Sequence, residues 1–290
     1  MFSCVQLWFS ILLMTEKPKD PEKNDSTDAA TMKEALPSSI PEIVADQSTL
    51  RNIYDRAKTE WQKVYHHSEL MTRLREYLAL TPEKRKDATE LKKYLRYVRK
   101  HGQTLKSACY FCNSEQKLPT SLELCIRYLG KAVDAYSMKK GNKYAERVLE
   151  IMEQSELVVE ESQTVQLEDY YQRLSVLVDK IRKYLLPKKI TVEQYHTLRK
   201  DLRSIKNLCF LVSGQEGCDQ RIIQISGYLD RLNSELGKIH DEYVSKELKE
   251  KVDYHQTSMK IGAQLKVRIQ RFLELLQAKN VRQTQAIEQG

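Results

Sequence analysis

The chain has 290 residues, of which 41% are hydrophobic and 30% are charged, with 9 glycines and 7 prolines. This composition excludes collagen-like and low-complexity chains and is typical of a helix-rich globular protein. The formal net charge is +8, but residues 1–50 carry four lysines and eight acids, so the remainder carries +12 (8 minus −4). A basic body behind an acidic segment predicts a polyanionic partner: nucleic acid, a phosphate polymer or an anionic membrane. The plainer alternative is a charge surplus that serves solubility.

The composition of the N-terminal segment predicts that it is disordered. Residues 1–14, MFSCVQLWFSILLM, are apolar but too short to span a bilayer, so we expect no stable membrane insertion. They are either a targeting segment or precede a true start at Met14. Residues 15–46 are rich in proline, serine and charge, which predicts disorder. Residues 1–46 are therefore interpreted as a disordered, acidic N-terminal segment.

Helical periodicity begins near Gln47 and continues, apart from short breaks, to about residue 278. The first helix is predicted to run to Pro82, because apolar side chains from Leu50 to Val64 form one stripe. Period-2 alternation is absent, so no strand is predicted and the fold class is all-α. The further predicted helices are 84–113, 119–139, 141–157, 164–186, 191–213, 218–238 and 241–278.

Three segments recur at one spacing. RLREYLAL at 73–80 aligns with KIRKYLLP at 180–187, ELKKYLRYVRK at 90–100 with TLRKDLRSIKN at 197–207, and LGKAVDAYSMK at 129–139 with LGKIHDEYVSK at 236–246. Each shift is 107 residues, without a gap. A common shift across intervening loops indicates an internal repeat. We therefore predict two helical bundles related by an approximate two-fold, at 47–157 and 158–290.

Each predicted repeat carries a row of cations on one face of its second helix. Apolar neighbours such as Leu95 and Leu202 must face the core, which directs the cations away from it. If the repeats pack about a two-fold, the two rows line a shared basic cleft; a solvated helix face is the alternative. The candidate binding residues are Lys92, Arg96 and Arg99 in the first repeat, His196, Arg199, Arg203 and Lys206 in the second, and Lys131 and Lys238 beside them.

These residues resemble the conserved-histidine α-helical domain (CHAD) family, whose members carry H-x-x-R-x-x-x-R-x-x-R/K and L-G-x-x-x-D motifs in each of two helical halves. The second repeat matches from His196 to Lys206 and again at Leu236, Gly237 and Asp241. The first repeat departs from the pattern, because Thr89 stands where the histidine belongs. In the first repeat the matching residues of the second motif are Leu129, Gly130 and Asp134. The resemblance covers about residues 47–280.

The resemblance implies a non-enzymatic domain that binds inorganic polyphosphate in the basic cleft. Arginine forks suit phosphate oxygens, and a helical row of cations can follow a phosphate chain. We interpret Asp134 and Asp241 as structural, either capping the next helix or holding an arginine of the basic row. Gly130 and Gly237 either end a helix or permit close helix approach.

Two other functions remain open from the sequence. The same charge and 16 tyrosines fit an RNA- or DNA-binding protein, and under the polyphosphate interpretation nucleic acid is expected only as a competitor ligand. A helical protein-interaction scaffold is the third alternative. The chain lacks a glycine-rich phosphate loop, a nucleophile elbow and an H-E-x-x-H motif, so we expect no catalytic residues, no cofactor and no enzyme activity.

The cysteines predict no metal site and no disulfide scaffold. Cys109 and Cys112 form a C-x-x-C, but no second ligand pair follows at zinc-finger spacing. We interpret them as two buried thiols on one helix face. The six cysteines of the chain therefore indicate a reducing compartment, the cytoplasm.

Overall fold

Helices account for nearly all regular structure in the part of the chain that is described. The structure, a computed structural model, describes residues 36–159, 163–215, 217–250 and 257–287, with side chains described only to 243 and 277 in the last two ranges. These ranges belong to the unit that begins at Leu36. The all-α prediction is confirmed. The helices are α1 (Gln47–Val64), α2 (His67–Ala79), α3 (Thr89–Cys112), α4 (Thr120–Asp134), α5 (Lys140–Gln154), α6 (Leu167–Leu185), α7 (Val192–Ser213), α8 (Gln220–Glu250) and α9 (Ala263–Ile287).

Three short elements lie between these helices. Lys84–Lys86 form one 3₁₀ turn between α2 and α3. The strands β1 (Ile190–Thr191) and β2 (Ser258–Met259) pair antiparallel, with Ile190 opposite Met259. The sequence predicted no strand, because two residues are too few to show an alternating pattern.

Helices α3 and α7 occupy the centre of the fold. Helix α3 packs against α1, α4 and α7, and α7 packs against α8, α3 and α6. The two run in opposite directions where they cross, since Lys100 lies over the ring of Phe210 while the Gln103 carbonyl accepts from Asn207. The apolar positions predicted to face the core are buried, which confirms the predicted orientation of both helices: Leu91, Leu95, Val98, Leu198, Leu202 and Ile205.

Several predicted helix boundaries are wrong: α3 begins at Thr89 and not at 84, α4 ends at Asp134 and not at 139, and β2 interrupts the helix predicted over 241–278. The first long helix divides at Tyr65, which takes an extended backbone conformation while its ring stacks on Trp61 at 5.0 Å. Near the C-terminus, α8 continues to Glu250 instead of ending at 238. Gly237 therefore lies inside α8 and does not end it. Its missing side chain leaves room for an arginine from α7.

The predicted disorder extends too far along the chain. Ile40, Ile43 and Val44 are buried in the core, and the Tyr171 hydroxyl donates to the Glu42 carboxylate and the Val44 carbonyl. Three apolar side chains within five residues bury enough surface to order a short segment, which outweighs its prolines. Residues 36–46 therefore belong to the fold, whereas residues 1–35, including the apolar segment 1–14, lie outside the described residues.

Within the described ranges, no helix combines the length and the hydrophobicity that crossing a membrane requires. The cysteines have the predicted character. Cys109 and Cys112 are both buried on α3, and burial raises the pKa of the Cys109 thiol to about 12. A thiol with a raised pKa is a poor nucleophile and a poor metal ligand.

Gly141, the second residue of α5, is expected to be sensitive to substitution. A Cβ atom there would lie 2.1 Å from the Tyr77 hydroxyl and 2.6 Å from the Ala135 carbonyl oxygen. We expect Gly141→Ala to lower the free energy of unfolding by about 2–3 kcal/mol, because the backbone oxygen has no room to move. Gly227→Ala in α8 is the control. No atom lies within 4 Å of its Cβ, so stability should rise by up to about 1 kcal/mol. Equal effects in chemical denaturation would contradict this packing.

Candidate functional site

Arg99 of α3 lies flat against α4. Its Nη1 and Nη2 atoms donate to the two carboxylate oxygens of Asp134 at 2.6 and 3.1 Å. A Cβ atom at Gly130 would lie 3.3 Å from the Arg99 Nε atom. The glycine therefore lets the guanidinium approach the α4 backbone, and the aspartate holds it there.

Arg199 of α7 makes the matching arrangement against α8. Its Nη1 atom lies 3.9 Å from the Asp241 carboxylate, and a Cβ atom at Gly237 would lie 2.7 Å from its Nη2 atom. Two roles were predicted as alternatives for the glycines and two for the aspartates, and the structure shows the same role in both arrangements. The glycines permit close approach, and the aspartates hold an arginine.

The two arrangements do not keep the single shift of 107 residues. Arg99 and Asp134 are 35 residues apart, whereas Arg199 and Asp241 are 42 apart (241 minus 199). A shift of 107 equates Arg99 with Lys206, which instead pairs with Asp230 at 2.7 Å. The register of α7 on α8 therefore differs from that of α3 on α4 by seven residues, about two helical turns. The internal repeat and its two-fold relation stay a prediction.

Arg203 brings the two basic rows together. It is partly buried on α7, and its pKa is lowered to about 10 by burial and then by the charges of Arg199 and Arg99. Its Nη1 atom reaches the Gln103 side-chain oxygen at 3.4 Å, and it makes no ion pair with a described residue. An arginine of α7 thus lies within electrostatic reach of the arginine that α3 presents.

His196 adds an imidazole to the same surface. Its ring lies 4.9 Å from the ring of His240 on α8, and its Nδ1 atom is buried without a hydrogen-bond partner. Burial, the neighbouring His240 and the charges of Lys200, Arg199 and Arg203 lower its pKa to about 4. The contribution of His240 was not predicted, because position 240 is not one of the positions that either sequence motif specifies. We call Arg99, His196, Arg199, Arg203 and Lys206 the basic cluster.

The cations of the basic cluster are more buried than the carboxylates that pair with them. The side chains of Arg99, Arg199 and Lys206 are 23%, 21% and 18% exposed. Their partners are far more exposed, at 66% for Asp134, 74% for Asp241 and 64% for Asp230. Exposed carboxylates contribute little to stability, so a bound anion can replace them at small cost. The arrangement can bind an anion.

No contact among the described side chains joins four of the predicted binding residues to the basic cluster. Lys92 lies over the Tyr136 ring at 5.4 Å, and Lys131 lies over Tyr128 and Tyr144 at 5.6 and 5.4 Å. Arg96 and Lys238 are exposed and pair with no carboxylate among the described side chains. Arg99 and Arg199 take matching positions and are 100 residues apart (199 minus 99). The same spacing makes Arg96, and not Thr89, the counterpart of His196.

Among the side chains that are described, no group of three or more histidine, cysteine, aspartate or glutamate residues is arranged to hold a metal ion. The comparisons with known proteins give no match: no protein-family model, no curated protein and no solved structure matches the chain. The resemblance to the CHAD family therefore stays a prediction drawn from the two motifs.

Proposed function

We propose that the protein binds inorganic polyphosphate, or a polyanion of the same chemistry, at the basic cluster, without catalysis and without a cofactor. The observation that carries the proposal is the position of Arg203. This guanidinium is partly buried on α7, its pKa is lowered to about 10 by burial and then by the charges of Arg199 and Arg99, and it forms no ion pair with a carboxylate of the described residues. A phosphate chain would supply the missing negative charge. The five described cysteines are free, which fits the reducing cytoplasm.

Phosphate chemistry suits this cluster better than a single carboxylate does. Three guanidinium groups offer planar forks, and each fork can meet two phosphate oxygens. Because the cations come from both α3 and α7, a ligand with regularly repeated charge can contact both helices at once. Such binding releases condensed counterions, so affinity should fall steeply with salt.

Nucleic acid is the second candidate, and one observation favours it. Tyr128 and Tyr144 lie near-parallel with ring centres 6.4 Å apart, and Arg127 lies over the first ring at 5.2 Å. Stacked tyrosines beside cations are typical of surfaces that contact bases. They lie on α4 and α5, and Tyr128 shares the exposed Lys131 with Tyr144.

A competition experiment separates the two candidates. Labelled RNA is bound to the protein, and long-chain polyphosphate or unlabelled RNA is added at equal phosphate concentration. We expect polyphosphate to displace the label at about tenfold lower phosphate concentration, because the basic cluster offers no base contacts. If unlabelled RNA competes better, the nucleic-acid function is favoured. If neither labelled RNA nor labelled polyphosphate binds the protein, a protein-interaction scaffold is favoured.

A further inference from the structure

A second, separate cluster of positive charge surrounds Arg85. This arginine in the 3₁₀ turn is completely buried, and it makes no ion pair with any carboxylate in the described residues. Its Nε atom donates to the Tyr77 carbonyl at 2.9 Å, and its guanidinium lies 3.8 Å from the centre of the Tyr77 ring. Its Nη1 atom is buried without a hydrogen-bond partner. A charged donor in that state is costly unless an acceptor satisfies it.

The same guanidinium points at the start of α5. Its Nη2 atom donates to the side-chain oxygen of Asn142, which is the third residue of that 15-residue helix. The first turn of α5 contains no acidic residue. The positive end of the helix dipole and a buried arginine therefore lie side by side, with no acidic residue in the first turn of α5 and no carboxylate paired with the arginine among the described residues, which is an arrangement that favours a bound anion.

Five exposed lysines surround this point. Two flank Arg85 in the 3₁₀ turn and three lie at the start of α5. The Arg85–Asn142 hydrogen bond holds the two segments together, and the pKa of the exposed Glu83 is lowered by hydrogen bonds first and then by the charges of Lys139 and Lys86, one from each segment. No carboxylate of the described residues pairs with any of them, and the only acids in the 3₁₀ segment are Glu83 and Asp87. The five are Lys84, Lys86, Lys139, Lys140 and Lys143.

We propose that this surface is a second anion site, which takes a compact ligand presenting a diphosphate group. The lysines lie on two short segments joined by the Arg85–Asn142 hydrogen bond, so they can enclose a small polyanion. A long chain needs a row of cations, which this surface lacks. The ligand oxygens would satisfy the first turn of α5, and the negative charge of the ligand would offset the buried charge of Arg85. The contacts of Arg85 are with α2 and α5, whereas the basic cluster lies on α3 and α7.

Pyrophosphate titration in the Arg203→Ala background tests this site, because that background weakens the basic cluster. We expect saturable binding of one pyrophosphate per chain by calorimetry. The variant with Lys139, Lys140 and Lys143 changed to glutamine should lose about tenfold or more in affinity. The control changes Lys183, Lys188 and Lys189 to glutamine, which removes the same charge from exposed positions on and after α6, and should bind as its parent does.

Two results would overturn the second site. One is the absence of saturable pyrophosphate binding in the Arg203→Ala background. The other is an equal loss of affinity in both triple-lysine variants, which would mean that net charge alone attracts the ligand. Arg85→Gln provides a further test where it folds. It should remove pyrophosphate binding while long-chain polyphosphate still binds to a protein with an intact Arg203.

Discussion

Replacing Arg203 by alanine is expected to weaken the binding of long-chain polyphosphate by about 30- to 100-fold. The partly buried guanidinium is within electrostatic reach of both Arg199 and Arg99, so its removal takes away the cation that links the two basic rows. Folding should be unaffected or slightly improved, because the change also removes repulsion between like charges. Anisotropy titration with labelled polyphosphate measures the affinity, and thermal unfolding measures the stability.

Arg271→Ala provides the matched control for this variant. Arg271 lies on α9, is 59% exposed and pairs with Glu274 at 3.6 Å. Its removal changes net charge by the same amount outside the basic cluster, and we expect less than about threefold loss of affinity. Equal losses in the two variants would show that diffuse positive charge binds polyphosphate and that the basic cluster has no special role.

Polyphosphate binding is expected to strengthen as the pH falls from about 7 to 5, by up to about tenfold per pH unit. His196 is neutral in the free protein over this range, because its pKa is lowered to about 4. A bound polyanion favours the imidazolium form and raises that pKa, so binding takes up a proton. His196→Phe keeps an aromatic ring beside His240 and should flatten the pH dependence. An unchanged dependence in His196→Phe would assign the proton to another group.

The stability of the free protein should change with pH in the opposite sense. The folded-state pKa of His196 lies near 4, below the ordinary value of about 6.5 that applies in the unfolded chain. Between these values the unfolded chain binds the proton and the folded chain does not. Stability is therefore full above about pH 6.5 and is lost progressively as the pH falls toward 4. Added polyphosphate should reduce this loss, since it favours protonated His196 in the folded state.

The sequence was most informative where buried side chains repeat at the spacing of a helix. The apolar stripe from Leu50 to Val64 and the inward faces of α3 and α7 were predicted correctly, because helical spacing decides which side chains can reach the core. The same periodicity concealed the register of the helices against each other. A displacement of seven residues returns a helix to nearly the same face, so a shift of 107 matches the sequences although Arg199, and not Lys206, takes the position of Arg99.

The features that the sequence did not predict depend on contacts between distant segments. His240 contacts His196 of the basic cluster only because α8 continues past Gly237 and brings the two rings together. The buried state of Arg85 depends on Asn142, which follows it by 57 residues. A cation within the run Lys84–Lys86 resembles any other exposed charge in the sequence, and only tertiary packing distinguishes it.

The central claim is that cations from α3 and α7 bind one phosphate chain together. The most direct test is to follow the arginine side-chain Nε–Hε NMR signals of isotope-labelled protein during a polyphosphate titration. The Nε atoms of Arg99 and Arg199 are buried without hydrogen-bond partners in the ligand-free structure, so their signals should respond strongly to a bound anion. We expect the signals of Arg99, Arg199 and Arg203 to shift together and to saturate at the same polyphosphate concentration. Shifts confined to one helix, or confined to exposed arginines such as Arg271, would contradict the claim.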